Sequence, residues 1–439
     1  MDSLEAGTSV SGGIAAEVRA TLDQRDGVEI RRLRGAVPSL SSSDGTASAE
    51  TTTSTETGGG YRRSVTSTPG ARILIAPDSF KGSATAQEVA EAIAQGWLAE
   101  RPDDAVTALP LADGGEGTLD VLERAVPGAV RHPVRVTGPD GRPVSASWLT
   151  IDGDAGPVAV VELADASGLD RLDTLIPWDA HTRGVGEVIR AALADAPSEL
   201  LLALGGSSST DGGLGLLAAL GAIALDASGD PVADGTRGLA DIASLDLSGL
   251  PALPTAGVTV LSDVTNPLLG PRGAAAVFGP QKGFATADLL AAEAALARLA
   301  ALLPIDPATP GAGAAGGTGA GLLAWGAHLE PGADRIAQLV GLDRLAADSV
   351  LVITGEGRFD AQTAGGKLPS RVASAARASG IPWALVAGSI AAETDDAVAS
   401  VALVDISGST AAAIADPVPA LRAAGARLAR GWTADGLDG

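Results

Sequence analysis

The 439-residue chain has no cysteine, one methionine, one tyrosine and four phenylalanines. Without cysteine there is neither a disulfide framework nor thiolate chemistry. Its three histidines, His132, His181 and His328, are scattered, so a histidine-built metal site is not expected. Lysine is also scarce. Of 30 basic residues only Lys81, Lys282 and Lys367 are lysine, each beside a glycine. In so arginine-rich a background, each lysine marks a place where a compact, mobile ammonium is wanted instead of a planar guanidinium. Acids outnumber bases, 53 to 30, and the net charge of −23 argues against a nucleic-acid partner. No uninterrupted apolar run is long enough to span a membrane. No signal-peptide pattern opens the chain, so a soluble cytoplasmic protein is expected, with no membrane partner.

What is present is apolar and glycine-rich: 46% hydrophobic residues and 58 glycines. Residues 1–70 stand apart. A possible short helix, Ala15 to Arg25, precedes a stretch dominated by Ser, Thr, Gly and Glu, which cannot bury enough surface to offset the entropy of ordering. A disordered N-terminal extension is expected. From Arg72 onward, short apolar runs alternate with helical patterns. Ile73 to Ala76, Ala105 to Leu109, Val158 to Leu163, Leu200 to Leu204, Gly257 to Leu261, Ser349 to Thr354, Trp383 to Ala387 and Val401 to Val404 read as strands. Residues 131–151, with the turn Gly138-Pro139-Asp140-Gly141, read as a hairpin. Val89, Ile93 and Trp97 share one face of a helix over Ala86 to Glu100. Further helices are expected from Thr182 towards Ala194, over Leu214 to Ala224, Ala285 to Leu303 and Val418 to Arg430. This alternation predicts an α/β architecture.

The chain is organised around Leu204-Gly205-Gly206-Ser207-Ser208-Ser209-Thr210-Asp211-Gly212-Gly213. A buried strand leads in and a helix leads out. The glycines allow sharp turning and close approach of a ligand. Backbone N–H groups and hydroxyls at a helix N-terminus suit an anion, above all phosphate. Asp211 is the one charge there, and it suits a bound metal ion or a proton acceptor. The plainer alternative is a strand–turn–helix in which Asp211 is an N-cap.

Other strand ends repeat the pattern. Asp78-Ser79-Phe80-Lys81-Gly82-Ser83 follows the first strand, Asp113-Gly114-Gly115-Glu116-Gly117 the second, and Ser262-Asp263-Val264-Thr265-Asn266 the one after residue 257. Gly355-Glu356-Gly357-Arg358-Phe359-Asp360 follows Thr354 as an expected loop. In open parallel sheets ligands bind at the carboxyl ends of strands, so these loops read as walls of a cleft for an anionic or metal-bound ligand. Standard alternatives fail. Gly366-Lys367 is followed by Leu368 and preceded by Ala361 at the position a P-loop reserves for glycine. Gly311-Ala312-Gly313-Ala314-Ala315-Gly316 has the dinucleotide spacing but follows Pro310 and no strand. No Gly-x-Ser-x-Gly elbow occurs.

Taken together, residues 76–83, 112–118, 205–213, 262–268, 279–283, 311–321 and 354–360 resemble, in order, the bacterial-type glycerate kinase family, the two-domain family without a P-loop. The resemblance runs from about Arg72 to the C-terminus and leaves out the N-terminal extension. It implies ATP-dependent, Mg²⁺-assisted phosphorylation of D-glycerate to 2- or 3-phosphoglycerate. It also implies two α/β domains with mostly parallel sheets, one inserted in the other, and an active site in the cleft between them. Residues 71–129 and 290–439 would form the discontinuous Rossmann-like domain and 130–289 the insert. The assembly expected is a monomer or homodimer.

On that footing Asp78, Lys81, Asp211 and Arg358 are candidate catalytic residues. Gly205, Gly206, Ser207, Ser208, Ser209, Thr210 and Lys282 would hold ATP. Ser79, Arg183, Glu356, Asp360 and Arg371 would face glycerate, an arginine fork being the natural clamp for its carboxylate. Asp211 and Asp263 would hold Mg²⁺. For Arg358 a structural ion-pair cluster with Glu356 and Asp360 is the alternative. For Asp113 and Glu116 it is charge placed at a helix N-terminus. Two other readings compete. One is a non-catalytic small-acid or nucleotide-binding regulatory module, which would gain nothing from carboxylates in its cleft. The other is a kinase for a different small hydroxy acid.

Overall fold

In the computed structural model, which describes residues 70–360, 368–394, 396–433 and 436–437, two large sheets and one small antiparallel pair are built from thirteen strands. They are β1 (Arg72–Ile75), β2 (Ala105–Ala108), β3 (Val130–Thr137), β4 (Pro143–Gly153), β5 (Gly156–Glu162), β6 (Glu199–Ala203), β7 (Ile223–Leu225), β8 (Ser244–Asp246), β9 (Val258–Leu261), β10 (His328–Glu330), β11 (Leu351–Phe359), β12 (Trp383–Ile390) and β13 (Ala399–Ala402). The expected N-terminal extension and the Gly365-Gly366-Lys367 turn lie outside the described residues.

One sheet has the order β13-β12-β11-β1-β2 and is parallel throughout. The other has the order β10-β9-β6-β5-β4-β3, parallel from β10 to β5 and antiparallel from β5 to β3. The chain enters the second sheet at β3 and leaves it after β10. The mixed α/β class with mostly parallel sheets is therefore as expected. Buried on both faces, the inner parallel strands β1, β6 and β9 are near-continuous apolar runs. Alternate residues serve different cores: Ile73 and Ile75 pack with Val89, Ile93 and Trp97, while Leu74 packs on the other side with Val352 and Leu385. That second cluster also takes Leu149, Val160, Leu201 and Leu261 from the other sheet. The two sheets thus share one apolar layer, with Leu119, Ile336 and Val372 of intervening helices in it. A third cluster covers the far side of the second sheet, with Val161, Leu202 and Val260.

Local signals set the helix limits. The helix Ala86–Glu100 starts at a capping box in which Thr85 and Glu88 exchange hydrogen bonds. The hairpin β3–β4 turns where expected. Two expectations are corrected. The helix expected to run to Ala224 stops at Leu220, because Gly221 adopts φ 119° and the chain then pairs as β7 with β8. The stretch expected as a loop after Thr354 is strand as far as Phe359, with Arg358 opposite Ser389 and Phe359 opposite Ile390. Glycine makes that extension possible: a Cβ on Gly355 would lie 2.2 Å from the Val386 carbonyl oxygen, and one on Gly388 2.2 Å from that of Gly357.

The helix Ala86–Glu100 meets the C-terminal helix Pro417–Gly431 backbone to backbone. A Cβ on Gly96 would lie 1.9 Å from the Arg422 carbonyl oxygen, and one on Gly425 2.2 Å from that of Ile93. Helix propensity alone favours Ala over Gly by about 1 kcal/mol. Overpacking at this contact outweighs it, so Gly96→Ala is expected to lower stability by about 1–3 kcal/mol, read as a lower urea midpoint. An unchanged or higher midpoint would mean that these helices do not touch.

Candidate active site

A cleft of about 770 Å³ opens at the carboxyl ends of β1, β2, β5, β6 and β9, where strands of both sheets deliver their loops. Asp78, Ser79 and Lys81 line it from the loop after β1, and Asp113 to Gly117 from the loop after β2. Gly205 and Gly206 come from the loop after β6, and Ser262 and Asp263 from the loop after β9. The loops meet through glycine. A Cβ on Gly205 would lie 2.3 Å from Gly115 Cα, and one on Gly114 2.9 Å from Leu261 Cβ. Gly114 and Gly117 adopt φ 86° and 87°, which only glycine tolerates readily.

Carboxylates crowd the cleft. The Asp78 backbone N–H donates to Gly355 O at 2.8 Å, and its carboxylate accepts the Ser79 N–H at 2.6 Å. Burial, then the nearby Asp113 charge, pushes Asp78 up to about 7, with Glu356 adding to the rise. Burial and Asp113 likewise push Asp263 up to about 6, although it accepts the Gly332 N–H at 2.9 Å. Lys81 answers this charge: its ammonium is 3.6 Å from Asp113, mostly exposed, and held above the usual lysine range chiefly by that carboxylate. A further acid, Glu162 at the end of β5, accepts the N–H groups of Gly117 and Leu119, both at 3.0 Å. It caps the helix Thr118–Ala125 from another strand, and burial pushes it up to about 7.

The glycine–serine stretch divides at Gly206. Its glycines line the cleft, but the hydroxyls that follow are buried and turned inward. Ser208 Oγ donates to Ser167 O at 2.8 Å, and Ser207 pairs with Gly168 in an isolated bridge. Lys282, fully buried, donates to Ser209 O and to Ser207 Oγ. Gly212 N–H donates to Gly316 O at 3.1 Å. The run from Gly311 therefore locks onto this loop; Ala315, Gly316 and Gly317 take the left-handed conformation to do so. Asp211 is wholly buried, and its carboxylate accepts five hydrogen bonds, from Thr182 N–H and Oγ1 (2.8 and 2.7 Å) and from Ser209 Oγ, Gly213 N–H and Gly215 N–H (each 3.2 Å). It ties the loop to the helix Arg183–Ala194.

The structure thus brings Asp78, Ser79, Lys81, Gly205, Gly206 and Asp263 to one cleft. It does not bring Asp211, Ser207 to Thr210 or Lys282 to the cleft surface, because their polar atoms are turned to the protein interior. Arg183 is paired with Asp234 through two hydrogen bonds of 2.7 and 3.0 Å. Arg371 is paired with Asp334 and Asp343 on a helix flank. Neither lines the cleft. Arg358, at the end of β11, is 3.4 Å from Asp360 and largely exposed. Glu356, in the same strand, is buried and contributes to the field at Asp78. The basic residues that do line the cleft beside Lys81 are Arg124, Arg131 and Arg171. No glycine-rich motif marks them in the sequence. The nearest sequence signal to Arg171 is the expected strand Val158 to Leu163, which runs into Asp165.

Hard oxygen donors of this kind suit Mg²⁺. No group of three His, Asp or Glu side chains among the described residues could hold a metal ion by itself. Mg²⁺ is held by one or two carboxylates together with substrate phosphates, and Asp113 and Asp263 are the carboxylates of the cleft that could serve. Burial and the Asp113 charge raise both Asp78 and Asp263, and a cation would relieve the second of these causes.

Lys282 provides a test of the buried wall. Burial pushes its ammonium down from 10.5 to about 7, against the pull of Asp211. Between those values the unfolded chain binds a proton that the folded one does not, so stability rises with pH over that window. Below about pH 7 the cost of burying the charge is fully present. Lys282→Met removes this dependence. Urea midpoints at pH 7 and 9.5 are expected to show the unaltered protein gaining on the variant at the higher pH; parallel shifts would mean that the amine is hydrated.

A model of the glycerate kinase family matches residues 73–433. A Bacillus subtilis (strain 168) protein named glycerate kinase is 45% identical over 334 residues, covering 74% of this chain and 86% of that protein. An Escherichia coli (strain K12) protein named glycerate 2-kinase is 41% identical over 334 residues, with the same coverage. Among solved structures, a crystal structure from Salmonella typhimurium LT2 assigned as glycerate kinase 2 superposes with a TM-score of 0.68. It is 38% identical and covers 82% of this chain and 98% of its own.

Proposed function

The chain belongs to the glycerate kinase family, and we propose that the cleft described above is where it phosphorylates glycerate, with ATP as the phosphoryl donor. The observation that carries this placement is the convergence of Asp78, Lys81, Asp113 and Asp263 on one cleft walled by glycine loops of both sheets. Phosphoryl transfer asks a protein mainly for positioning and charge stabilisation, and each residue has a matching part.

Asp78 accepts the proton of the attacking hydroxyl. Half-buried at a strand end, with a carboxyl lifted to about 7, it is basic enough to do so near neutral pH. Lys81 lies across Asp113 as an exposed, mobile point charge and neutralises oxygens of the transferred phosphoryl group. Gly114 to Gly117 and Gly205 to Gly206 let phosphates approach the backbone closely. Asp113 and Asp263 are the residues that would hold Mg²⁺, which when bound neutralises charge on the nucleotide phosphates. Ser207 to Thr210, Lys282 and Asp211 hold the shape of the phosphate wall from behind, and Asp211 is assigned there in place of a metal-binding role. Ser79 lies beside Asp78 on the substrate side. Arg358, Glu356 and Asp360, at the end of β11, complete the field around the Asp78 loop. The phosphoryl group goes to the 2-hydroxyl, a reading supported by the name of the Escherichia coli relative.

Coupled measurement of ADP release from MgATP with D-glycerate, glycolate and lactate is expected to show turnover with glycerate. Phosphorus NMR of the product is expected to show a phosphate coupled to a single methine proton. No turnover with any of the three acids would point to a non-catalytic binding module. Asp78→Asn is expected to lower kcat by about 10²–10⁴-fold, the usual contribution of a general base, with a urea midpoint that is not lowered, since the change removes a carboxylate disfavoured by burial and by Asp113. Near-normal kcat would remove Asp78 from the chemistry.

A further inference from the structure

We propose that Arg171 is the specificity-determining residue that receives the carboxylate of the hydroxy-acid substrate. This rests on the reading of the cleft as a glycerate-phosphorylating site. Arg171 ends a short turn, Leu169–Arg171, that is clipped directly to the phosphate wall: Leu169 N–H donates to Gly206 O at 2.9 Å, and Gly168 bridges Ser207. Its position is therefore tied to the same loop that lines the cleft at Gly205 and Gly206.

The guanidinium is held but not used up. Nη2 donates to Asp165 Oδ1 at 2.6 Å. Asp165 is itself fixed, since its other oxygen accepts the Ser147 N–H at 2.7 Å and Ser147 Oγ at 2.9 Å. Arg171 Nε is buried and has no hydrogen-bond partner. The side chain as a whole keeps 30% of its surface exposed and lines the cleft, so a ligand meets it there. A guanidinium carries five N–H donors in a rigid fork, so a second anion can bind beside Asp165.

The other cations of the cleft are differently placed. Arg131 is spent on Asp120 at 2.7 Å and Glu123 at 2.9 Å. Lys81 is a single mobile charge facing Asp113, suited to a tetrahedral phosphoryl group. Arg124 is an exposed residue in the last turn of its helix. Among the described residues that line the cleft, only Arg171 combines a partly buried, pre-oriented fork with an unused donor, and a planar carboxylate is the ligand that a fork matches best. A nucleotide phosphate would use the same donors and is the alternative that the experiment separates.

Steady-state kinetics of Arg171→Lys and Arg171→Met, with D-glycerate and MgATP varied separately and glycerol as the neutral acceptor, supply the test. Arg171→Lys keeps the charge and loses the fork, so it serves where the Met variant fails to fold. The expected result is a KM for D-glycerate raised at least tenfold, an unchanged KM for MgATP, and a collapse of the preference for glycerate over glycerol. A raised KM for MgATP with an unchanged KM for glycerate would place Arg171 on the nucleotide, and two unchanged values would make it structural; either result overturns the proposal. Equilibrium titration of D-glycerate into the unaltered protein and each variant reads the same contact without turnover. Absence of catalysis in the unaltered protein would then count against the assigned reaction, and equal glycerate binding in all three proteins against the role of Arg171.

Discussion

Backbone meets backbone where the strand-end loops of the two sheets come together, and the rest of the structure depends on that contact. Side chains on Gly205 or Gly332 would collide with Gly115 Cα or Asp113 O at 2.3 and 2.0 Å. The loops can approach this closely only because nothing projects between them. Below them, the apolar layer shared by both sheets, from Leu74 and Val352 on one side to Val160 and Leu261 on the other, sets how the strand ends face one another. Above them, the same closeness buries Asp78 and Asp263 and puts both in the field of Asp113, and together these lift both carboxyls. Packing and acidity in the cleft have one origin.

The glycine–serine stretch illustrates how a loop can have two faces with different work. Gly205 and Gly206 offer bare backbone to the cleft. One residue later the chain turns inward, and Ser207, Ser208, Ser209 and Asp211 bond to Ser167, Lys282, Thr182 and the following helix. Burying an ammonium and a carboxylate is costly. Their return is a loop with one shape, which suits a reaction that depends on positioning. The cleft lining is itself rich in acids and also carries Lys81, Arg124, Arg131 and Arg171, so the placement of those cations matters more to an anionic substrate than the net charge of −23.

Much of this was legible in the amino-acid order. Parallel strands buried on both faces declare themselves as unbroken apolar runs, as at Ile73 to Ile75 and Leu200 to Ala203. The Thr85–Glu88 capping box and the turn at residues 138–141 act within a few residues of chain, so local pattern suffices. The strand-end position of Asp78, Lys81, Gly205 and Asp263 likewise follows from reading each apolar run together with its exit. Where the reading failed, a partner distant in sequence decided the outcome. Gly355 to Phe359 looks like a loop until β12 pairs with it.

The sequence by itself determined the class of fold, the family and the loops that carry the chemistry, because those depend on periodicity and on short contiguous motifs. Only the tertiary structure decided which polar groups of those loops face the cleft. Asp211 and Asp78 are equivalent as letters, each an acid beside a strand end. One accepts five internal hydrogen bonds, and the other opens onto the cleft with its carboxyl raised by burial and by Asp113. The arginines differ in the same way: Arg183 and Arg371 are taken by Asp234 and Asp343, and Arg171 keeps a donor unused. Whether a charge is available to a ligand depends on which residues fold against it, and no local pattern encodes those neighbours.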